Sequence, residues 1–468
     1  MNVIVICTDT LRADYLGCYG NTWMKTPYLD RFAERSIVYE NCYGESLPTV
    51  QARRIWFTGR SIMPFEKGPQ PKGVYPPLAG WMPLKETDVA LAETLKERGY
   101  YTGLITDLWH YFKPAMNLHR GFSNWQFIRG QEMDPWRTGN KDLFDPKQHI
   151  AKHLWTPFFD ERVRQYLINT QDFHSEEDYF CARTFRTAVK WLEHNVNRKP
   201  FFLWVDTFDP HEPFDCPKEY AQMYFDKYPC ERYIYAYGAD FRKVKKSDIP
   251  AIKGVYCGLC SLVDRWAGHL LDSIERLGLF EDTLVVFTSD HGTEFYEHGE
   301  LQKHPHLLHH QVVRLPMIVH HPKEKLNGQR VNGLVSALDF MPTFMNFLKE
   351  KPEQRLEGKD FLALATGAKT KIHDYVVSGY GRYGSVRTLD WNYIFPVEKM
   401  PPKSKMPKLD EKKLAPDIIV ALQEKLRPPC LYDLRNDFDE TRDVIKQHPD
   451  VAARLRKLAL KKWPKAPI

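Results

Sequence analysis

The sequence predicts an α/β protein with a mainly parallel central sheet, helices on both of its faces, and a small antiparallel sheet at the C-terminal end. Two observations carry this. Apolar runs of strand length alternate with helix-length segments over roughly the first 370 residues, as strand–helix–strand units require. From about residue 372 short runs separated by turn residues take over, the pattern of an antiparallel meander. The expected division is an α/β domain over 1–370 and a C-terminal unit over 371–468 with its own small sheet and a closing helix.

Each element has its own signal. Residues 2–9 (NVIVICTD) are an apolar run ended by an aspartate, which reads as a buried strand. Helices are expected at 29–36 (LDRFAERS), 51–59 (QARRIWFTG) and 88–99 (DVALAETLKERG), then a strand at 100–107 (YYTGLITD). A helix at 178–195, a strand at 200–206 (PFFLWVD) and a long helix ending at Leu277 follow. Strands at 283–290 (TLVVFTSD) and 315–321 (LPMIVHH) complete the large sheet. The small sheet is expected from 375–380, 383–390, 391–397 and 430–437, with the last helix over 449–463. Residues 398–416 are rich in Pro and Lys and read as a mobile excursion.

Composition bounds the class. The chain has 468 residues, 43% hydrophobic and 27% charged, a globular balance. No run approaches the ~20 apolar residues of a membrane span. The net charge of +6 is spread among acids without a stripe or a nucleic-acid motif, so it favours small anionic substrates rather than nucleic acid or membrane. The basic stretch 454–465 is expected to be the solvated face of the last helix, and oligomeric state is left open. The sequence opens on a strand with no basic leader or cleavage site, and its nine cysteines show no tight framework. Both features point to a cytoplasmic protein with reduced thiols. Cys257 and Cys260 form a CxxC inside a helical pattern, without the second pair that a zinc site would need.

Chemistry-bearing residues concentrate in four short segments. Asp9 ends the first strand, and Asp290 and His291 end the strand TLVVFTS. In open α/β sheets ligands collect beyond the carboxyl ends of strands, so these three residues are expected to converge. Two hard oxygens and an imidazole suit Mn, Zn or Fe better than Ca or Mg, with one ion per chain expected. Thr49 and Arg53 stand one helical turn apart and so face the same side. A threonine hydroxyl near pH 7 must be activated by a base or a metal ion, while a guanidinium can bind two oxygens of a transferring group. His211, in DPHEPF, is expected to protonate the leaving oxygen, with His110 as the alternative, and Lys303 joins Arg53 and His211 in binding the substrate anion. Taken singly, each has a plainer reading: Asp9 as a cap, Thr49 as an N-cap, Arg53 as a solvated helix residue, SDHG as a turn. Their combination points to ester hydrolysis beside a metal ion.

LRADYLGCYGN followed by KTPYLDRFAERSIVYENCY, then TGR, DPHEPF, SDHG, Lys303 before VVRLPMIV, and CLYDLRNDFDETRDV occur in that order. Together they resemble, almost end to end, the sulfatases and phosphonate monoester hydrolases of the alkaline phosphatase superfamily. The resemblance implies an alkaline phosphatase-like α/β/α sandwich with Asp9, Thr49, Asp290 and His291 as metal ligands. It also exposes departures. Sulfatases carry, four residues before the arginine, a Cys or Ser that is oxidised to formylglycine; here that position is Thr49, which cannot be so oxidised. Ser46 is no substitute, because Val50 follows it at that spacing. The second aspartate usual after strand one is Thr10, and the lysine of the family's GKWH segment is Leu108. The resemblance therefore implies a phosphate or phosphonate ester hydrolase acting through Thr49. The alternatives are a sulfuric ester hydrolase, a phosphoryl transferase or mutase, and an inactive binding relative.

Two further segments carry expectations. In KHPHLLHH, His309 or His310 together with Asp206 or Asp209 and His211 would form a second ion site. The aromatic-rich stretch 108–136 either packs over the sheet or builds the leaving-group pocket, with Tyr111, Asn117, Arg129 and Trp136 as contacts and Asn117 as a substrate-binding residue.

Overall fold

The computed structural model describes residues 1–66, 70, 72, 74, 76–113, 115–399 and 425–468. The excursion expected at 398–416 falls, from residue 400 on, outside the described residues.

The strands in chain order are β1 (Asn2–Thr8), β2 (Ile37–Tyr43), β3 (Ser46–Leu47), β4 (Tyr101–Thr106), β5 (Asn124–Phe127), β6 (Phe201–Thr207) and β7 (Thr283–Ser289). They continue with β8 (Glu294–Phe295), β9 (Leu301–Gln302), β10 (Arg314–Leu315), β11 (Met317–His320) and β12 (Arg330–Ser336). The last four are β13 (Val376–Tyr380), β14 (Tyr383–Arg387), β15 (Trp391–Pro396) and β16 (Cys430–Asp433). The large sheet runs β10-β2-β11-β7-β1-β6-β4-β5, with β12 paired to β2. Pairings among β7, β1, β6, β4 and β5 are parallel, and only β10 and β11 run against their neighbours. The mainly parallel expectation holds.

Alternation along the central strands divides the apolar interior in two, as parallel strands covered on both faces require. Val3, Val5 and Cys7 of β1, with Trp204 of β6, meet α2 (Thr49–Thr58), which follows α1 (Pro27–Glu34) in the chain, and α3 (Leu91–Glu97). Ile4 and Ile6, with Leu203 and Val205, meet α1, α4 (Pro157–Asn169), α5 (Phe180–Asn195) and the long α6 (Ile249–Arg276). The result is a helix–sheet–helix sandwich. Strands β2, β5 and β12 and helix α4 were not expected from the sequence. Glu40 and Asn41 interrupt β2, and Asn332 and Gly333 interrupt β12, so neither shows a clean apolar run although the pair is held by parallel bonding.

The small sheet runs β16-β15-β14-β13-β3. Its antiparallel part comes from the C-terminal region as expected, with α7 (Pro449–Lys462) packing beside it. Its edge strand β3, however, comes from the N-terminal part, pairing Ser46 with Gly379 and Leu47 with Tyr380. Backbone pairing thus crosses the expected boundary near residue 370 and ends one residue before Pro48 and Thr49. Among the described residues no helix is long and apolar enough to cross a membrane.

Helix α1 lacks a cap of its own; Asp264 of α6 supplies one, accepting from Tyr28 N at 3.2 Å and Leu29 N at 2.7 Å. Asp264→Ala should cost about 1–3 kcal/mol in denaturant unfolding, because two N–H groups lose their acceptor. Burial outweighs these two donors and pushes the Asp264 carboxyl up to about 7. Between pH 4 and 7 the unfolded chain ionises this group while the folded chain does not, so it costs stability as pH rises. The stability of Asp264→Asn relative to wild type should therefore improve from pH 4 to pH 7; a constant difference would contradict this.

Candidate active site

Strands β6, β1 and β7 lie side by side in register, Thr8 standing between Thr207 and Ser289. Their carboxyl ends bring together three fully buried carboxylates: Asp206 inside the end of β6, Asp9 just past β1 and Asp290 just past β7. One fully buried guanidinium, Arg53 of α2, meets all three. Its Nε and Nη2 form a fork on Asp206 at 3.0 and 2.8 Å. Its Nη1 reaches Asp290, Asp9 at 3.3 Å and the Thr49 carbonyl at 3.1 Å. Asp206 Oδ2 also accepts from Tyr111 Oη at 2.6 Å and Trp204 Nε1 at 3.3 Å, which fixes the carboxylate that aims Arg53.

Thr10 holds the turn after β1. Its left-handed backbone (φ 68°) is costly for a β-branched residue. In that conformation its N–H reaches Asp290 Oδ1 at 3.1 Å and its hydroxyl reaches Asp9 Oδ1 at 2.8 Å. Gly292 is required for contact: a Cβ there would lie 2.1 Å from the Gln311 carbonyl oxygen.

The donor set fits a divalent ion. His291 Nδ1 lies 2.9 Å from the Gly292 carbonyl, so it carries the hydrogen and Nε2 carries a lone pair. Nε2 is buried without a hydrogen-bond partner, 3.5 Å from Asp9 Oδ1 and 3.8 Å from Asp290 Oδ2. A lone pair facing carboxylate oxygens is repulsive unless a cation lies between them. Burial and the neighbouring Asp290 push Asp9 well above the ordinary carboxylate range, which again marks a deficit of positive charge. Two carboxylates and an imidazole suit Mn, Zn or Fe.

Thr49 is the first residue of α2, with Pro48 in the capping position, so it is not itself the N-cap. It lines a cleft of about 40 Å³ with Trp81, His110, Phe208, His211 and Lys303. That is room for roughly three water-sized groups, the scale of a tetrahedral oxyanion whose remainder projects outward. Lys303 Nζ donates to His211 Nε2 at 2.8 Å and lies 3.6 Å from Glu212 Oε2. Burial, reinforced by Lys303, takes His211 down to about 3, and its ring stacks on Phe208 at 4.1 Å. His110 Nε2 meets Glu132 Oε2 at 3.1 Å, and Trp109 Nε1 and Arg162 Nη1 bond the same carboxylate at 2.7 and 3.2 Å.

The sulfatase family model matches residues 1–349, about three quarters of the chain. This chain belongs to the sulfatase family. An arylsulfatase of Clostridium perfringens is 24% identical over 404 residues, covering 80% of each protein. The multifunctional alkaline phosphatase superfamily protein PehA of Trinickia caryophylli is 24% identical over 429 residues, covering 80% of this chain and 79% of its own. Among solved structures, a phosphonate monoester hydrolase of Agrobacterium radiobacter superposes with a TM-score of 0.70 at 18% identity, covering 98% of this chain and 95% of its own. The fold is thus the alkaline phosphatase-like one, and the chain is a sulfatase-family ester hydrolase of a metal-dependent kind.

Several expected roles move. Arg53 does not offer a two-pronged clamp to substrate, since its fork is taken by Asp206. His211 is not an imidazolium acid; it is neutral near pH 7 and accepts from Lys303. The second ion site does not form from the residues chosen. Asp206 is committed to Arg53, Asp209 faces Gln131 Nε2 at 2.8 Å and Cys181 N at 3.0 Å, and His309 and His310 face Glu294 and Glu440. Asn117 is a left-handed turn residue (φ 59°) that does not line the cleft. Tyr111 braces Asp206, Arg129 pairs with Asp134 at 2.6 Å, and the Arg137 guanidinium lies 4.3 Å from the Trp136 ring. Asp206 in its bracing role and Glu132 were missed. Asp206 reads as an ordinary strand terminus, and Glu132 lies in an irregular stretch with no periodic signal.

Chelation should abolish activity, and Asp290→Asn should lose the active-site ion by elemental analysis; full activity in metal-stripped protein would contradict the site. Arg53→Ala should cost about 3–5 kcal/mol of unfolding free energy, the order for stranding buried charge.

Proposed function

We propose that this chain hydrolyses phosphate or phosphonate esters, diesters or monoesters of small organic molecules, through a covalent intermediate on Thr49. The observation that carries this is Thr49 itself. It stands at the cleft wall and the helix start, at the position where the family's sulfatases require an oxidisable Cys or Ser, and its side chain cannot become formylglycine.

A divalent ion held by Asp9, Asp290 and His291 supplies charge that favours ionisation of the neighbouring hydroxyl and stabilises charge on the transferring group. Thr49 Oγ attacks phosphorus and the bond to the leaving oxygen breaks. Lys303 Nζ gives that oxygen its proton, with the neutral His211 as the positioning residue that points the ammonium into the cleft. Water then attacks the phosphothreonine; the Thr49 oxygen leaves, and the proton from water returns to Lys303. Arg53, locked on Asp206, keeps Asp9 and Asp290 together and fixes the first turn of α2 through the Thr49 carbonyl. Sulfate ester hydrolysis is the second reading, favoured by sequence relatives such as the arylsulfatase.

Aryl phosphate, phosphonate, diester and sulfate substrates compared by kcat/KM decide between the two. We expect phosphorus esters to lead; sulfate turnover above every phosphorus ester would overturn the proposal. Thr49→Ala should abolish turnover while costing only about 1 kcal/mol of stability. Mass spectrometry of quenched wild-type enzyme should find the phosphoryl adduct on the Thr49 peptide. Near-normal turnover in Thr49→Ala would instead point to direct attack by water.

A further inference from the structure

We propose a second metal site, formed by Glu294, His298 and His309, at the seam between the large sheet and the C-terminal lobe. One ligand atom from each of the three comes within 4.8 Å of the others. Glu294 opens β8, three residues beyond His291, and His298 lies in the turn between β8 and β9. His309 immediately precedes the short helix His310–Val313.

The polar atoms of this cluster are unsatisfied in a way that one cation would resolve. Glu294 Oε1 is 2.8 Å from His298 Nδ1 and 3.6 Å from His309 Nδ1. Glu294 Oε2 and His309 Nδ1 are buried with no hydrogen-bond partner. The far nitrogens define the near ones. His298 Nε2 lies 3.0 Å from the Glu440 carbonyl and 3.1 Å from the Asp439 carbonyl, groups that only accept, so Nε2 carries the hydrogen. His309 Nε2 lies 3.3 Å from Tyr432 Oη. Metal-binding histidines are held in this manner, the far N–H donated to a carbonyl or hydroxyl and the near nitrogen turned to the ion.

A proton is the rival occupant. One proton between His298 and Glu294 would leave His309 Nδ1 and Glu294 Oε2 unserved. Protonating both rings would stack two imidazolium ions face to face, since the rings lie parallel at 3.6 Å between centroids and 9° between planes. A divalent ion meets all three groups at once. Two imidazoles and a carboxylate suit zinc and its first-row neighbours. This triad shares no residue with Asp9, Asp290 and His291, and its second layer, Tyr432, Asp439 and Glu440, belongs to the C-terminal lobe. The ion would fasten that lobe to the loop that follows the active-site strand β7.

Metal-stripped protein dialysed against zinc and measured by elemental analysis should hold two ions per chain, with one remaining in Glu294→Gln, His309→Gln and Asp290→Asn. Zinc should raise the Tm of wild type more than that of Glu294→Gln. Retention of the wild-type count by both Glu294→Gln and His309→Gln would overturn the proposal. Should either variant fold poorly, anomalous scattering from wild-type crystals grown with zinc is decisive. A peak among Glu294, His298 and His309 supports the site, and a peak confined to Asp9, Asp290 and His291 overturns it.

Discussion

Three buried carboxylates sharing one buried guanidinium is the constraint on which the rest of this structure depends. Asp206, Asp9 and Asp290 are placed by three adjacent parallel strands, and Arg53 is the cation that meets all of them. A buried charge without a partner costs several kcal/mol, and here the negative charges outnumber the guanidinium. The imbalance does two things. It makes the position of α2 non-negotiable, because Arg53 must reach Asp206 with its fork and Asp9 and Asp290 with its remaining nitrogen. It also leaves a standing attraction for a divalent ion beside His291, whose lone pair already faces the two carboxylates. Placing the nucleophile is then a by-product of balancing charge, since Thr49 is one turn before Arg53 and donates its carbonyl to the same guanidinium.

The cleft above this base uses the opposite device, keeping a histidine uncharged so that it can direct a lysine. His211 is buried against Phe208 and lies beside an ammonium, and both effects disfavour its protonation. Its lone pair therefore accepts from Lys303 rather than competing for the substrate anion. Glu132 plays the same part for His110, with Trp109 and Arg162 holding the carboxylate in place. Each cleft histidine is thus oriented by a neighbour that the linear sequence does not place beside it.

That distinction explains what could be read in advance. Asp9, Asp290 and His291 were legible because strand ends in parallel sheets gather ligands, and Thr49 with Arg53 because one helical turn puts them on one side. Asp206 was legible only as a strand residue; its role needs β6 beside β1, a pairing of residues about 200 apart. The histidines of KHPHLLHH announced themselves by composition, but composition gave no partners. Asp209 is turned toward Cys181 and Gln131, while Glu294 and His298, inconspicuous in the sequence, are brought to His309 by the short β8–β9 hairpin. Strands β2 and β12 escaped notice because polar and glycine residues break their apolar runs, although their parallel bonding compensates.

The small sheet is more than an appendage. Its edge strand β3 pairs with β13 and runs directly into Pro48 and Thr49, so the backbone entering the nucleophile helix is held on one side by the C-terminal lobe and on the other by Arg53. Glu440 of that lobe strengthens the attachment: its carboxylate accepts from His310 N at 2.8 Å and from Arg387 at 2.7 Å, while its carbonyl receives His298. The lobe therefore touches both segments that carry chemistry, the approach to Thr49 and the loop after Asp290 and His291. Loosening it would displace the nucleophile relative to the carboxylates without altering any residue of the site. An error of about 1 Å in such a geometry is enough to cost on the order of 100-fold in rate. Positional control of Thr49 is thus shared between a buried ion network in the large sheet and a backbone pairing in the small one.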